Sequence, residues 1–137
     1  MPARHVMSAG EQPRLAQDFA YRVKQAGQLA SKMRFLSAPW VGMLESGAWL
    51  RNAAHGNACA QRLKLRLDGT PQLDIMFPVQ ANAVFIRLPD RVASALRDRG
   101  WRFYTFIGGG ARFMFAWDAD PRRVDELAAD IMRLSAS

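Results

Sequence analysis

The chain has 137 residues, half of them apolar and 23% charged, with a net charge of +7, which is the composition of one folded domain and not of a disordered chain. Cys59 is the only cysteine, and His5 and His55 are the only histidines, which excludes an internal disulfide, a cysteine-ligated metal and a histidine cluster. No apolar run reaches the ~18–20 residues that cross a bilayer, and the first ten residues hold no long apolar stretch of the secretory type, so a cytoplasmic chain without a membrane partner is expected.

Residues 1–12 mix Pro, Ser, Gly and polar side chains without periodicity and read as a flexible tail. Leu15, Phe19, Val23, Ala26, Leu29, Met33 and Leu36 then recur in steps of three or four, one face of a helix. Gly27 weakens that helix, and a break near residues 26–28 fits. Pro39 kinks or ends the next stretch of helix. A second helical stretch covers Val41 to Leu67, with Leu50, Ala54, Ala58 and Leu65 near one face, and Gly47 is placed to divide it. Asp68-Gly69-Thr70-Pro71 is turn chemistry.

The second half changes period. Leu73, Ile75 and Phe77 alternate with Asp74 and Met76, a strand that Pro78 ends or places at an edge. Ala83 to Leu88 reads as a more buried strand. Pro89-Asp90 opens a short helix that Gly100 closes in the left-handed conformation. Trp101 to Ile107 and Ala111 to Trp117 are two further strands, joined through Gly108-Gly109-Gly110. On the last, Phe113, Phe115 and Trp117 share one face and Arg112, Met114 and Ala116 the other. Asp120-Pro121 is a cap followed by a first-turn proline, opening a helix with the stripe Val124, Leu127, Ala128, Ile131 and Leu134. The class is α+β: long N-terminal helices, then a small, mainly antiparallel four-stranded sheet with helices on one face. The organisation is a tail (1–12), a helical segment (13–69) and an α+β domain (70–137).

Sixteen of the nineteen basic residues are arginine, spread from Arg4 to Arg133 without a run of three. Nucleic-acid binders concentrate their basic groups on a face or stripe, so nucleic acid is not the expected partner. The glycines at 108–110 lack a following Gly-Lys-Ser or Gly-Lys-Thr and lead into a strand, which argues for a hairpin connection over a phosphate loop. Arg112 is the residue to single out. Held on rigid strands, its guanidinium can fork onto a carboxylate; as residues alone it reads first as a sheet-edge arginine reaching water. Lys24 and Arg34 can meet a phosphate or carboxylate, or form the polar side of the first helix. His55 and Cys59 are four apart and share a helix face, too few ligands for zinc. Cys59 is expected buried and His55 at the surface, and Asp118 and Asp120 are explained by helix capping. The residues themselves assemble no complete catalytic set and no metal site.

Longer strings carry a resemblance. Asp18-Phe19-Ala20-Tyr21-Arg22-Val23-Lys24-Gln25-Ala26-Gly27-Gln28-Leu29-Ala30-Ser31-Lys32-Met33-Arg34-Phe35-Leu36 resembles the bacterial low-specificity L-threonine aldolases. So do Trp49-Leu50-Arg51-Asn52-Ala53-Ala54-His55, Phe77-Pro78-Val79-Gln80-Ala81-Asn82, Gly100-Trp101-Arg102-Phe103-Tyr104-Thr105-Phe106 and Ala111-Arg112-Phe113-Met114-Phe115-Ala116-Trp117-Asp118. The likeness covers residues 14 to 134 and concerns the C-terminal portion of these enzymes. It implies the small domain of the pyridoxal-phosphate-dependent, aspartate-aminotransferase fold, preceded by trailing helices of the large domain. It implies pyridoxal 5'-phosphate as cofactor, cleavage of L-threonine or L-allo-threonine to glycine and acetaldehyde, an amino-acid substrate, and a homo-oligomer joined through the helical segment. It also implies that Arg112 grips the substrate α-carboxylate and that Lys24 and Arg34 lie near the cofactor or a subunit contact. The family's Schiff-base lysine sits in a Gly-Thr-Lys-Asn-Gly-like segment that this sequence does not contain; its lysines are Lys24, Lys32 and Lys64. The isolated chain is therefore expected to be inactive. The alternative is a stand-alone amino-acid-binding or basic nucleic-acid-binding module.

Overall fold

A computed structural model describes residues 18–71, 73–106 and 110–136. Among these, helices α1 (Phe19–Gln25), α2 (Arg34–Glu45) and α3 (Ala48–Leu67) come first. Strands β1 (Asp74–Ile75) and β2 (Ala83–Arg87), helix α4 (Asp90–Asp98), strands β3 (Tyr104–Thr105) and β4 (Gly110–Met114) and helix α5 (Pro121–Ser135) come after them. The strands make one sheet in the order β1-β2-β4-β3, with every neighbouring pair antiparallel. The α+β class and the order of elements agree with the periodicities. The chain divides into two compact units, one ending at Gly42 and the other beginning at Met43.

In the first unit the apolar stripe is not one helix. α1 stops at Gln25, where Gly27 takes φ +68° and the amides of Gly27 and Gln28 bond back to Lys24 and Val23 at 3.1 and 2.9 Å. This double closure satisfies the last carbonyls of the helix, and only a residue free of a Cβ enters it without strain. Residues 26–33 are non-helical, and Phe19, Leu29, Met33 and Leu36 are exposed. Leu15 lies outside the described residues. Pro39 does not end α2, which runs on to Glu45. The proline gives up one internal amide bond, and the helix absorbs it. Gly47, at φ +66°, separates α2 from α3 as its position predicts.

In the second unit α3, α4 and α5 share a core with one face of the sheet. Val84, Ile86, Ala111, Phe113 and Phe115 from the strands meet Leu63 and Leu67 of α3, Leu96 of α4, and Leu127 and Ile131 of α5. The buried side of α3 is Gly56, Cys59, Ala60, Leu63 and Leu67, whereas Leu50, Ala54, Ala58 and Leu65 are exposed. The expected face is corrected because close approach, not hydrophobicity, sets it. A Cβ on Gly56 would stand 3.0 Å from the Phe115 carbonyl oxygen and 3.3 Å from Asn82 Cβ. That same carbonyl accepts from Asn82 Nδ2 at 2.9 Å, and the Phe115 amide donates to the Asn82 carbonyl at 2.9 Å.

Both outer strands are shorter than their alternation suggests. β1 is two residues, not Leu73–Phe77, and β3 is two residues within the span Trp101–Ile107, whose last residue, with Gly108 and Gly109, lies outside the described residues. Trp117 lies beyond β4 and is exposed, so it does not share the buried face of Phe113 and Phe115. The ends of α4 and α5 obey their signals. Gly100 takes φ +88°, its amide donating to Arg97 at 2.8 Å and that of Trp101 to Leu96 at 3.1 Å. Asp120 caps α5 by accepting from the Arg122 amide at 2.9 Å, with Pro121 at the first position; Asp118 is not the cap. Arg62 and Arg66 both fork onto Asp125, at 2.6–3.3 Å, and clasp α3 to α5.

Three expected outcomes follow from these contacts. Gly56→Ala should destabilise the second unit by about 1–3 kcal/mol in urea unfolding, because backbone must give way. Gly42→Ala, where a Cβ meets nothing within 4 Å, should be neutral or stabilising by about 0.5–1 kcal/mol. The Asp125 carboxyl is held well below the usual range, first by the Arg62 hydrogen bond and then by that of Arg66. A depressed folded value means that the clasp contributes fully above the unfolded carboxylate range, ~pH 4. Its contribution is lost as pH falls through that range toward the folded value. Melting temperature against pH should therefore fall less steeply below ~pH 4 in Asp125→Asn.

Candidate functional site: the open face of the sheet

Side chains alternate across a strand. On β4 this sends Ala111 and Phe113 into the core and leaves Arg112 and Met114 on the opposite face. Arg112 sits in an interior strand, directly across from Phe85 on β2 and Tyr104 on β3. Its guanidinium carbon lies 5.2 Å from the Tyr104 ring centre and 5.5 Å from that of Phe106, within the range in which a cation is drawn to a ring face. Phe106 stacks on Phe85 at 5.8 Å, and Phe85 meets Phe77 edge-on at 5.5 Å. Among the described residues, the buried side chains of α3, α4 and α5 join the core with Val84, Ile86, Ala111 and Phe113. Tyr104 is 70% exposed, Met114 56% and Phe106 45%.

The Arg112 side chain is half-buried, and its Nε is buried without a hydrogen-bond partner among the described residues. A buried donor without an acceptor costs about 1–3 kcal/mol. The arrangement is an aromatic-backed, planar donor set on a rigid strand, which matches the fork geometry of a carboxylate. Its neighbour Gly110 leaves room for Met76, whose Sδ would stand 2.9 Å from a Cβ at that position.

The other expected residues are placed elsewhere. Lys24 is exposed on α1. Arg34 is the first residue of α2 and also exposed, so the two do not share a helix as the stripe suggested. Lys32, at φ +56°, belongs to the non-helical link. His55 is half-buried, not a surface residue, and its Nε2 is 2.7 Å from the Ala119 carbonyl. Cys59 is buried as expected, with Sγ 3.7 Å from His55 Nε2. Burial pushes its thiol up, the direction opposite to an activated nucleophile. Among the described residues no cluster of metal-ligating side chains forms, and no helix is long and apolar enough to cross a membrane.

The implied pyridoxal phosphate would need an amine for its aldehyde and an acid for its ring nitrogen. Lys64 extends from α3 to Asp68 at 3.2 Å, and Lys24 and Lys32 belong to the first unit. The sole carboxylate among the described strand residues, Asp74, is paired with Arg87 at 3.1 Å. The residues around Arg112 do not supply the amine and the acid that the cofactor needs. The aromatic backing of Arg112 is not legible in the sequence pattern. Its signal lay in Phe77, Phe85 and Tyr104, but only strand pairing brings them together.

No family model matches the chain. The low specificity L-threonine aldolase of Pseudomonas sp. (strain NCIMB 10558) is 65% identical over 119 residues, which are 86% of this chain and 34% of the relative. The protein of the same name from Pseudomonas aeruginosa is 63% identical over 118 residues, 85% of this chain and 34% of the relative. A solved threonine aldolase from Leishmania major, 21% identical, matches with a TM-score of 0.73 over 85% of this chain and 35% of that one. At that identity the match speaks for the fold alone. The chain thus spans about a third of the length of the curated relatives it matches, and in both sequence and fold it is similar to one portion of a low-specificity L-threonine aldolase.

Proposed function

We propose that this chain is the C-terminal, substrate-carboxylate-binding portion of a pyridoxal-phosphate-dependent L-threonine aldolase. The reaction is cleavage of L-threonine or L-allo-threonine to glycine and acetaldehyde. The observation that carries this reading is the placement of Arg112 on the open, aromatic face of the sheet, in a chain 63–65% identical to named aldolases. Its guanidinium N–H groups donate to the two oxygens of the amino-acid carboxylate. The rings of Tyr104 and Phe106 hold the fork in plane and keep water from one side of it, which strengthens the charge pairing. Fixing the carboxylate fixes the orientation of the substrate's α- and β-carbons. The cofactor, its lysine and its ring partner belong to the remaining two thirds of such an enzyme, so the chain alone turns over no substrate. Lys24 and Arg34, with the exposed Phe35, Leu36 and Trp40 of α2, are assigned to contacts with that remainder or with a second subunit.

A second reading, an amino-acid-binding module without catalysis, is supported by the self-contained core behind the open face. One experiment separates the two. Residues 18–136 replace the matching third of the Pseudomonas aeruginosa relative, and acetaldehyde release from L-threonine is measured. The chimera should be active and the isolated chain supplemented with pyridoxal phosphate should not. Arg112→Lys in the chimera should lower kcat/KM by about 10- to 100-fold, the scale of a charged hydrogen bond. An inactive chimera, or an Arg112→Lys variant with full activity, sinks the aldolase reading; glycine binding by the isolated chain that Arg112→Ala abolishes supports the module. In the isolated chain, Arg112→Met should unfold at equal or higher urea concentration, because it removes an orphaned donor whose use lies in binding. Light scattering of the isolated chain should show self-association through the exposed apolar helices; a clean monomer removes the subunit-contact assignment.

A further inference from the structure

We propose that the recess between β4 and the first turns of α5 is a second binding site, taking a small monoanion with an apolar ring or branched body. Its lining comes mainly from the helical side of the sheet, with Met114 also at its wall and Arg112 not part of it, and it is independent of the aldolase reading. The recess holds about 220 Å³. Phe113, Phe115 and Leu127, with Trp101 beside them, supply apolar lining, and Arg102, Arg123 and Asp120 supply the charge.

Two features set it apart from an ordinary surface dimple. Its walls are pinned before any ligand arrives. Trp101 Nε1 donates to Asp130 at 2.8 Å, and that carboxylate also receives Arg99 at 3.3 Å and Arg133. The Phe103 and Phe113 rings lie 4.7 Å apart. Arg123 is held over the Trp101 indole at 4.5 Å, so its side chain has little freedom left to lose on binding. The charges are also unequal in their commitments. Asp120 is occupied as the cap of α5, accepting from the Arg122 amide at 2.9 Å and the Arg122 guanidinium at 3.2 Å. Arg123 shares Glu126. Arg102 has no ion pair among the described residues, which leaves a cation beside an apolar lining. Apolar walls with a few convergent polar groups are the usual make-up of a small-molecule site, and the sign of the uncommitted group selects an anion.

The test uses the ¹⁵N-labelled chain and 2-naphthoate, monitored through the Trp101 indole N–H resonance, assigned with Trp101→Phe. Binding should be saturable. Arg102→Gln and Arg123→Gln should each weaken it by about tenfold, the scale of one charged hydrogen bond, and Arg112→Ala should leave it unchanged. The neutral 2-naphthylmethanol should bind at least about tenfold more weakly than 2-naphthoate. No saturable shift, equal binding of the alcohol, full binding by the Arg102→Gln/Arg123→Gln double variant, or loss in Arg112→Ala would each overturn the proposal.

Discussion

The two-residue period of β4 is the constraint on which the second unit depends. Ala111, Phe113 and Phe115 enter the core, and the intervening Arg112 must then face away from it. A register shift of one residue would bury the guanidinium and expose two phenylalanines. Pairing on both sides, with β2 and with β3, forbids that shift. The arginine's position is therefore set by the burial of its neighbours, and the aromatic residues opposite it on both flanking strands supply its surroundings.

The helices enforce this arrangement from behind. α3 approaches the end of β4 through Gly56, whose missing Cβ admits the Phe115 carbonyl, while Asn82 ties that carbonyl to the loop before β2. The fork of Arg62 and Arg66 on Asp125 then fixes α3 against α5. The hydrophobic core and this clasp lie wholly on one side of the sheet. The other side is left with large exposed rings and a cation, an arrangement a monomeric soluble surface seldom keeps without a use.

An enzyme that must orient an amino acid can separate the task of holding its carboxylate from the task of breaking its bond. The first needs one planar, permanently charged donor on a stiff support, and β4 offers that. The second needs an amine and an acid around a cofactor, and the residues around Arg112 do not offer it. The chain is similar to about one third of much longer aldolases.

Local signals by themselves determined the order of elements, the α+β class, the breaks at Gly27 and Gly47, the cap at Asp120, the left-handed close at Gly100 and the burial of Cys59, because each depends on a few neighbouring residues. Strings as far apart as Asp18–Leu36 and Ala111–Asp118 carry the resemblance to the aldolases without reference to the fold. Contacts distant in sequence were decided only by the fold. The outer strands β1 and β3 form just where an inner strand offers partners, so their alternation overstated their length. The buried side of α3 tracks small residues that permit close approach, which an apolar count passes over. The rings against Arg112, and the recess beside Trp101, come from segments that meet only when the sheet pairs and α5 folds back across it.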